Sequence, residues 1–203
     1  MKVLLINGSP NPSGNTFLSL QECAGEIEKQ GIETEIFHIG AGPFFGCVNC
    51  GGCSKADHCV QDGDILPLMV EKMAQADGII VGSPTYYGGP NGALCALLDR
   101  AFFSASRLFR HKPAAAIVVC RRGGATEALS RLNMYFTLNE MPLISSQYWN
   151  ITHGLEPGDV QGDPEGMQTM RVLGKNMAHA VRHLPAGEYP EWTEKRLMTN
   201  FIR

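Results

Sequence analysis

Four cysteines stand close together in this 203-residue chain: Cys47, Cys50, Cys53 and Cys59, with the spacing C-x2-C-x2-C-x5-C. Thiolates two residues apart in a Gly-flexible stretch can converge on one metal centre. Three such ligands with a nearby fourth match the ligation of a [4Fe–4S] cluster. Two other readings of the same residues stand beside it. One is a loop of metal-free thiols. The other is zinc, although zinc sites more often pair two knuckles across a longer gap. The remaining cysteines read differently. Cys23 and Cys95 fall in helical patterns and are expected in the core. Cys120 ends an apolar run and reads as a small buried hydrophobe.

A second stretch carries different chemistry. Residues 7–16 read NGSPNPSGNT, between a short apolar run and a helical pattern. Backbone N–H groups at a helix start attract an anion, and the helix dipole adds to this. Ser9, Ser13, Asn15 and Thr16 supply side-chain donors in the same bend. No Gly-Lys-Ser/Thr follows, so a metal-bound triphosphate is not indicated. The Gly-x-Gly-x-x-Gly dinucleotide fingerprint is absent as well. The expected ligand is a phosphate monoester held by neutral hydrogen bonds. No Gly-x-Ser-x-Gly elbow points to a serine hydrolase. The six histidines share no convergent spacing, and His58 reads as solvated. No side chain is assigned a nucleophilic role.

These residues must be positioned by regular elements, and the hydrophobic pattern supplies them. Strands are expected at Lys2–Ile6, Thr34–His38, Asp77–Gly82, Ala114–Cys120 and, more weakly, Pro142–Ser146. Helical stripes run through Phe17–Ile27, Ile65–Met73, Leu94–Phe102, Ala125–Phe136 and Met170–Leu184, the last capped by Asp163-Pro164. Strands alternating with helices argue an α/β fold: a doubly wound five-stranded parallel sheet with helices on both faces. Residues 40–62 interrupt the rhythm as a long Cys- and Gly-rich loop, and such loops in compact domains are usually functional. Residues 1–185 read as a single domain and 186–203 as a C-terminal tail.

Composition bounds the function class. Hydrophobic residues make up 44% of the chain, enough for a full core. The net charge of −3 gives no basic excess for nucleic acid. The apolar run 114–120 falls far short of the roughly 20 residues that span a bilayer. A cytoplasmic protein is expected, where reduced thiols serve metals or redox chemistry and disulfides are disfavoured. Trp192, Leu197, Phe201 and Ile202 in the tail predict a homodimer or homotetramer, because a free apolar tail would expose surface that monomers avoid.

NGSPNPSGNT after the first strand and SPTYYGGPNGALCALLDR after the third resemble the flavodoxin-like NADPH-dependent FMN reductases. The resemblance spans roughly residues 1–150. The cysteine spacing is similar to that of the iron–sulfur flavoprotein branch. The resemblance implies that FMN is the cofactor and NAD(P)H the co-substrate. Electrons would pass to a small-molecule acceptor or a ferredoxin-like redox protein. It implies that Ser9, Asn11, Ser13, Gly14, Asn15 and Thr16 hold the FMN phosphate. Pro84, Thr85, Tyr86, Tyr87 and Gly88 would lie along the isoalloxazine. Arg121, Arg122, Gly123 and Gly124 would approach its polar edge, and Gln147, Tyr148 and Trp149 would line a neighbouring subunit's site. Two departures are visible. Many members carry a basic residue where this chain has Asn11, and small residues where it has Arg121-Arg122. A cation at the N1–C2=O edge would stabilise the anionic reduced flavin. The alternative function is a non-enzymatic, flavodoxin-like electron carrier.

Overall fold

The structure is a computed structural model that describes residues 1–188, 194 and 197–199. Inside its sheet lies β1 (Lys2–Asn7), whose five residues after Lys2 are all buried. A strand covered on both faces reads as a continuous apolar run, and VLLI does so. β1 pairs in parallel with β2 (Glu33–His38) on one side and β3 (Gly78–Tyr86) on the other. β3 pairs with β5 (Ala114–Cys120), and β5 with β6 (Ile151–His153). The order β2-β1-β3-β5-β6 is that of the flavodoxin-like doubly wound sheets. A two-residue strand, β4 (Gly89–Pro90), hangs antiparallel on the end of β3. The sheet therefore has five parallel strands, the number expected, and this short addition.

Side chains alternate between the two faces and build two cores. On one face Val3, Leu5 and Ile80 meet α1 (Asn15–Glu28) and α6 (Pro164–His183) through Leu20, Ile27, Met170 and Met177. On the other face Leu4, Ile6 and Val81 meet three helices: α3 (Leu66–Gln75), α4 (Gly92–Ala105) and α5 (Ala125–Leu138). Asp163 caps α6 as expected, its Oδ1 accepting from the Gly166 N–H at 2.9 Å, with Pro164 in the first turn.

One boundary and one whole strand differ from the sequence expectation. β3 runs four residues beyond Gly82, because the ladder to β5 continues through Pro84 opposite Val119 and Tyr86 then folds back on Gly89. The fifth parallel strand is Ile151–His153, whereas Pro142–Ser146 contributes one bridge, Leu143 to Ala114. The chain leaves the sheet after Ile144 because its next polar groups bond to α6. The Ser146 hydroxyl donates to Thr169 O at 2.6 Å, and the Asn176 amide donates to Ser145 O at 2.8 Å. Residues 40–62 are aperiodic as expected, apart from one helical turn, α2 (Cys53–Ala56). Cys23 is buried, and burial pushes its thiol pKa up. Cys95 is half-buried. Trp192, Phe201 and Ile202 of the tail lie outside the described residues, whereas Leu197 is exposed.

Candidate functional site

The loops after β1, β3 and β5 share the carboxyl edge of the sheet, where doubly wound folds bind ligands. The first loop is shaped by its own side chains. Asn7 Oδ1 accepts from Ser9 N, Ser9 Oγ from Asn11 N, and Asn11 Oδ1 from Ser13 N, each at 3.1 Å. These turns deliver the chain to Gly14, which precedes α1 in an extended conformation and caps it with no side chain. The first hydrogen bond along α1 is Leu18 N–H to Gly14 O, so the N–H groups of the first turn are left for a ligand. Thr16 is buried beside them and Ser13 is exposed.

Asn15 does something the sequence did not suggest. Its side chain spans to the segment after β6, donating to Glu156 O and accepting from Gly158 N–H, both at 2.9 Å. Its backbone N–H remains at the helix start. Two further residues support this loop. His38, at the end of β2, bonds Ser9 O through Nε2 at 2.8 Å. Asn91 caps α4 by accepting from Ala93 N–H and donates to Gly8 O at 2.7 Å. The signal for Asn91 was present, since Asn before a helical run is a common cap. The signal for His38 was not, because only the β1–β2 register places it there.

Thr85 in the second loop has a buried hydroxyl with no hydrogen-bond partner. Tyr86 is half-exposed, and Tyr87 is fully exposed with a positive φ of 51°. Pro84 is still within the β3–β5 ladder. Gly124 brings the third loop against the second: a Cβ there would stand 2.8 Å from Gly88 Cα. Arg121, Arg122 and Gly123 are exposed. Arg122 to Thr126 border a cavity of about 330 Å³ whose other wall holds Tyr148, Trp149, His153 and Asp163. Tyr148 and Trp149, with rings 5.3 Å apart, thus line a cavity of their own chain. Cys120 is buried just before this loop, and burial raises its thiol pKa.

Cys47, Cys50, Cys53 and Cys59 all line one small cavity, about 20 Å³. They do not close on a point: no described group of three or more His, Cys, Asp or Glu stands at metal-binding distance. Sequence reasoning missed the residues that hold this loop. Arg100 of α4, inside an apolar helix face, pairs with Asp64 at the loop's exit, and both side chains are fully buried. Among the histidines, His179 and His183 do come together on α6, with ring centroids 4.3 Å apart.

Residues 1–156 match the model of the NADPH-dependent FMN reductase family. The chain belongs to that family. An iron–sulfur flavoprotein of Methanocaldococcus jannaschii is 34% identical over 190 residues, covering 90% of this chain and 98% of its own length. An iron–sulfur flavoprotein of Archaeoglobus fulgidus is 38% identical over 168 residues, covering 80% and 82%. Among solved structures, a flavodoxin from the domain Archaea superposes with a TM-score of 0.60 at 15% identity, covering 90% of this chain and all of its own. As a member of the NADPH-dependent FMN reductase family, in its iron–sulfur flavoprotein branch, the protein is an FMN-dependent oxidoreductase of flavodoxin-like fold. The residues present fit the cofactor: an uncapped helix start suits a phosphate, and the buried Thr85 hydroxyl at the end of β3 has no hydrogen-bond partner.

Proposed function

We propose that the chain takes reducing equivalents from NAD(P)H and delivers them through bound FMN to a small acceptor or a redox protein. The observation that carries this reading is that the uncapped α1 start and the Gly88–Gly124 contact both lie at the carboxyl edge of the sheet. Gly14, Thr16 and the backbone of Asn15 would hold the phosphate, with Ser9, Asn11 and Ser13 shaping the turn. Pro84, Thr85, Tyr86, Tyr87 and Gly88 would flank the ring, and Thr85 Oγ would gain its missing partner. Arg121 to Gly124 would face the polar edge, where Arg122 favours negative charge. FMN supplies two-electron chemistry that no side chain here provides. The cavity beside Trp149 is large enough to admit a small planar acceptor.

Cys47, Cys50, Cys53 and Cys59 would hold a [4Fe–4S] cluster. What supports this is the donor set, four thiols on one cavity wall, together with the names of the archaeal relatives. The loop would have to rearrange, because its thiols do not converge on a point as they stand and the cavity they line is smaller than a cubane. All seven cysteines are unpaired, which suits a reducing, cytoplasmic compartment. No described helix is long and apolar enough to cross a membrane. A homodimer or homotetramer fits the exposed apolar side chains Phe103, Met134 and Leu138, which border a groove between α4 and α5. Light scattering at micromolar concentration tests that assembly, and a strict monomer overturns it.

The decisive experiment extracts the cofactor from purified protein and follows its absorbance anaerobically on addition of NADPH and of NADH. FMN that bleaches with either nucleotide and recovers with an added quinone supports the enzyme reading. FMN that responds only to a reduced carrier protein favours a non-enzymatic electron carrier. Extracted FAD counts against the whole assignment.

A further inference from the structure

Arg100 sits on α4 among Leu97, Leu98 and Ala101, with 1% of its surface exposed. Burying a guanidinium is costly, and such a residue is tolerable only when its donors are paired. Here every guanidinium nitrogen has a partner, and all of those partners lie in the cysteine-rich loop or its exit. Nε donates to Cys59 Sγ at 3.3 Å. Nη1 donates to Phe45 O at 3.3 Å and pairs with Asp64 Oδ2. Nη2 donates to Gln61 O at 2.7 Å. The carboxylate extends the network, since Asp64 Oδ2 accepts from Phe45 N–H at 3.3 Å and Oδ1 from Leu66 N–H at 3.1 Å. One planar cation therefore ties the loop's entry at Phe45 to its exit at Gln61 and Asp64, and contacts the fourth cysteine between them. It also borders the cavity lined by all four thiols. A lysine could not make this fork of bonds.

We infer that Arg100 is a positioning residue for the four-cysteine loop: with Asp64 it clasps both ends of the loop to α4, and its Nε–H fixes the Cys59 sulfur and tunes the centre that sulfur serves. The clasp is a property of the chain alone. The tuning rests on the proposed cluster. Hydrogen bonds to ligand sulfur favour the more negative, reduced state and raise the potential of an iron–sulfur centre.

The test uses Arg100→Lys and the double variant Arg100→Met with Asp64→Leu. The pair is removed together because a lone buried carboxylate would threaten folding. Hydrogen exchange of the metal-free chain is read first, at residues 43–62 and, as a folding control, at residues 94–98. Exchange at least tenfold faster in the loop, with residues 94–98 still protected, is the expected result for both variants. Loop exchange equal to the wild type overturns the clasp. Anaerobic reconstitution with iron and sulfide is read second. The cluster potential should fall in the double variant and fall less in Arg100→Lys, while FMN affinity holds. Equal potentials overturn the tuning. Wild-type protein that takes up neither iron nor sulfide overturns the cluster reading and the tuning with it, and the exchange data alone then decide the clasp.

Discussion

Gly124 stands so close to Gly88 that a Cβ on Gly124 would lie 2.8 Å from the Gly88 Cα and 3.3 Å from its N. Both glycines have positive φ, 84° and 76°. The loops after β3 and β5 therefore meet backbone to backbone at the sheet edge proposed to bind the flavin ring.

Gly124→Val should separate these loops. A β-branched residue at φ 84° is strained, at about 1–3 kcal/mol, and the clash adds to it. FMN affinity is expected to fall roughly tenfold or more. Flavin fluorescence titration and urea unfolding measure the two effects separately. Unchanged affinity would show that the ring does not sit across this contact.

Asn15→Asp keeps an acceptor for Gly158 N–H but replaces the donor to Glu156 O and places negative charge at the start of α1. The charge opposes a phosphate there, so FMN affinity should fall by roughly tenfold or more. Riboflavin, which lacks the phosphate, should lose much less. Parallel titrations with the two flavins decide the matter, and equal losses would move the phosphate elsewhere.

Cys50→Ala should abolish iron uptake while leaving FMN bound, because the cysteine loop and the phosphate loop are separate segments. Losing one ligand usually destabilises a four-thiolate centre. Iron and flavin analysis on the same sample reads both outcomes. Full iron content in the variant would remove Cys50 from the ligand set.

Lys112 is buried, and its ammonium donates to Met73 O at 3.0 Å and to Ala74 O at 2.5 Å at the end of α3. Burial pulls its pKa down from 10.5 to about 8. Below pH 8 both the folded and the unfolded chain carry the proton, and the cost of burying the charge is present in full. Between about pH 8 and 10.5 the folded chain has lost the proton and the unfolded chain has not. Unfolding then binds a proton, so this residue makes stability rise with pH across that window. Urea midpoints from pH 7 to 10.5 should show the rise in the wild type and a flatter curve in Lys112→Met.

Several features were readable before any coordinates because they are local. Val3–Ile6 and Ala114–Cys120 are apolar runs that suit strands covered on both faces, and Leu20 and Ile27 carry the helical period of α1. The bend NGSPNPSGNT declared itself through turn residues and its place after the first strand. The Cys47–Cys59 spacing marked a cysteine-rich segment, and four thiols of it do line one cavity. Other features depended on residues far apart in the chain. Pro142–Ser146 looked like a strand, but hydrogen bonds to α6 draw Ser145 and Ser146 away, and Ile151–His153 takes the place beside β5. Arg100 carried no signal of its own along the chain, and its meaning came from Asp64, 36 residues earlier. Asn15 read as a phosphate donor, and tertiary packing turned its side chain to Glu156 and Gly158. Periodicity and turn chemistry act over a few residues and are written in order along the chain. Strand register, ion-pair choice and the approach of Gly88 to Gly124 are set by which surfaces pack together, and only the folded chain decides those.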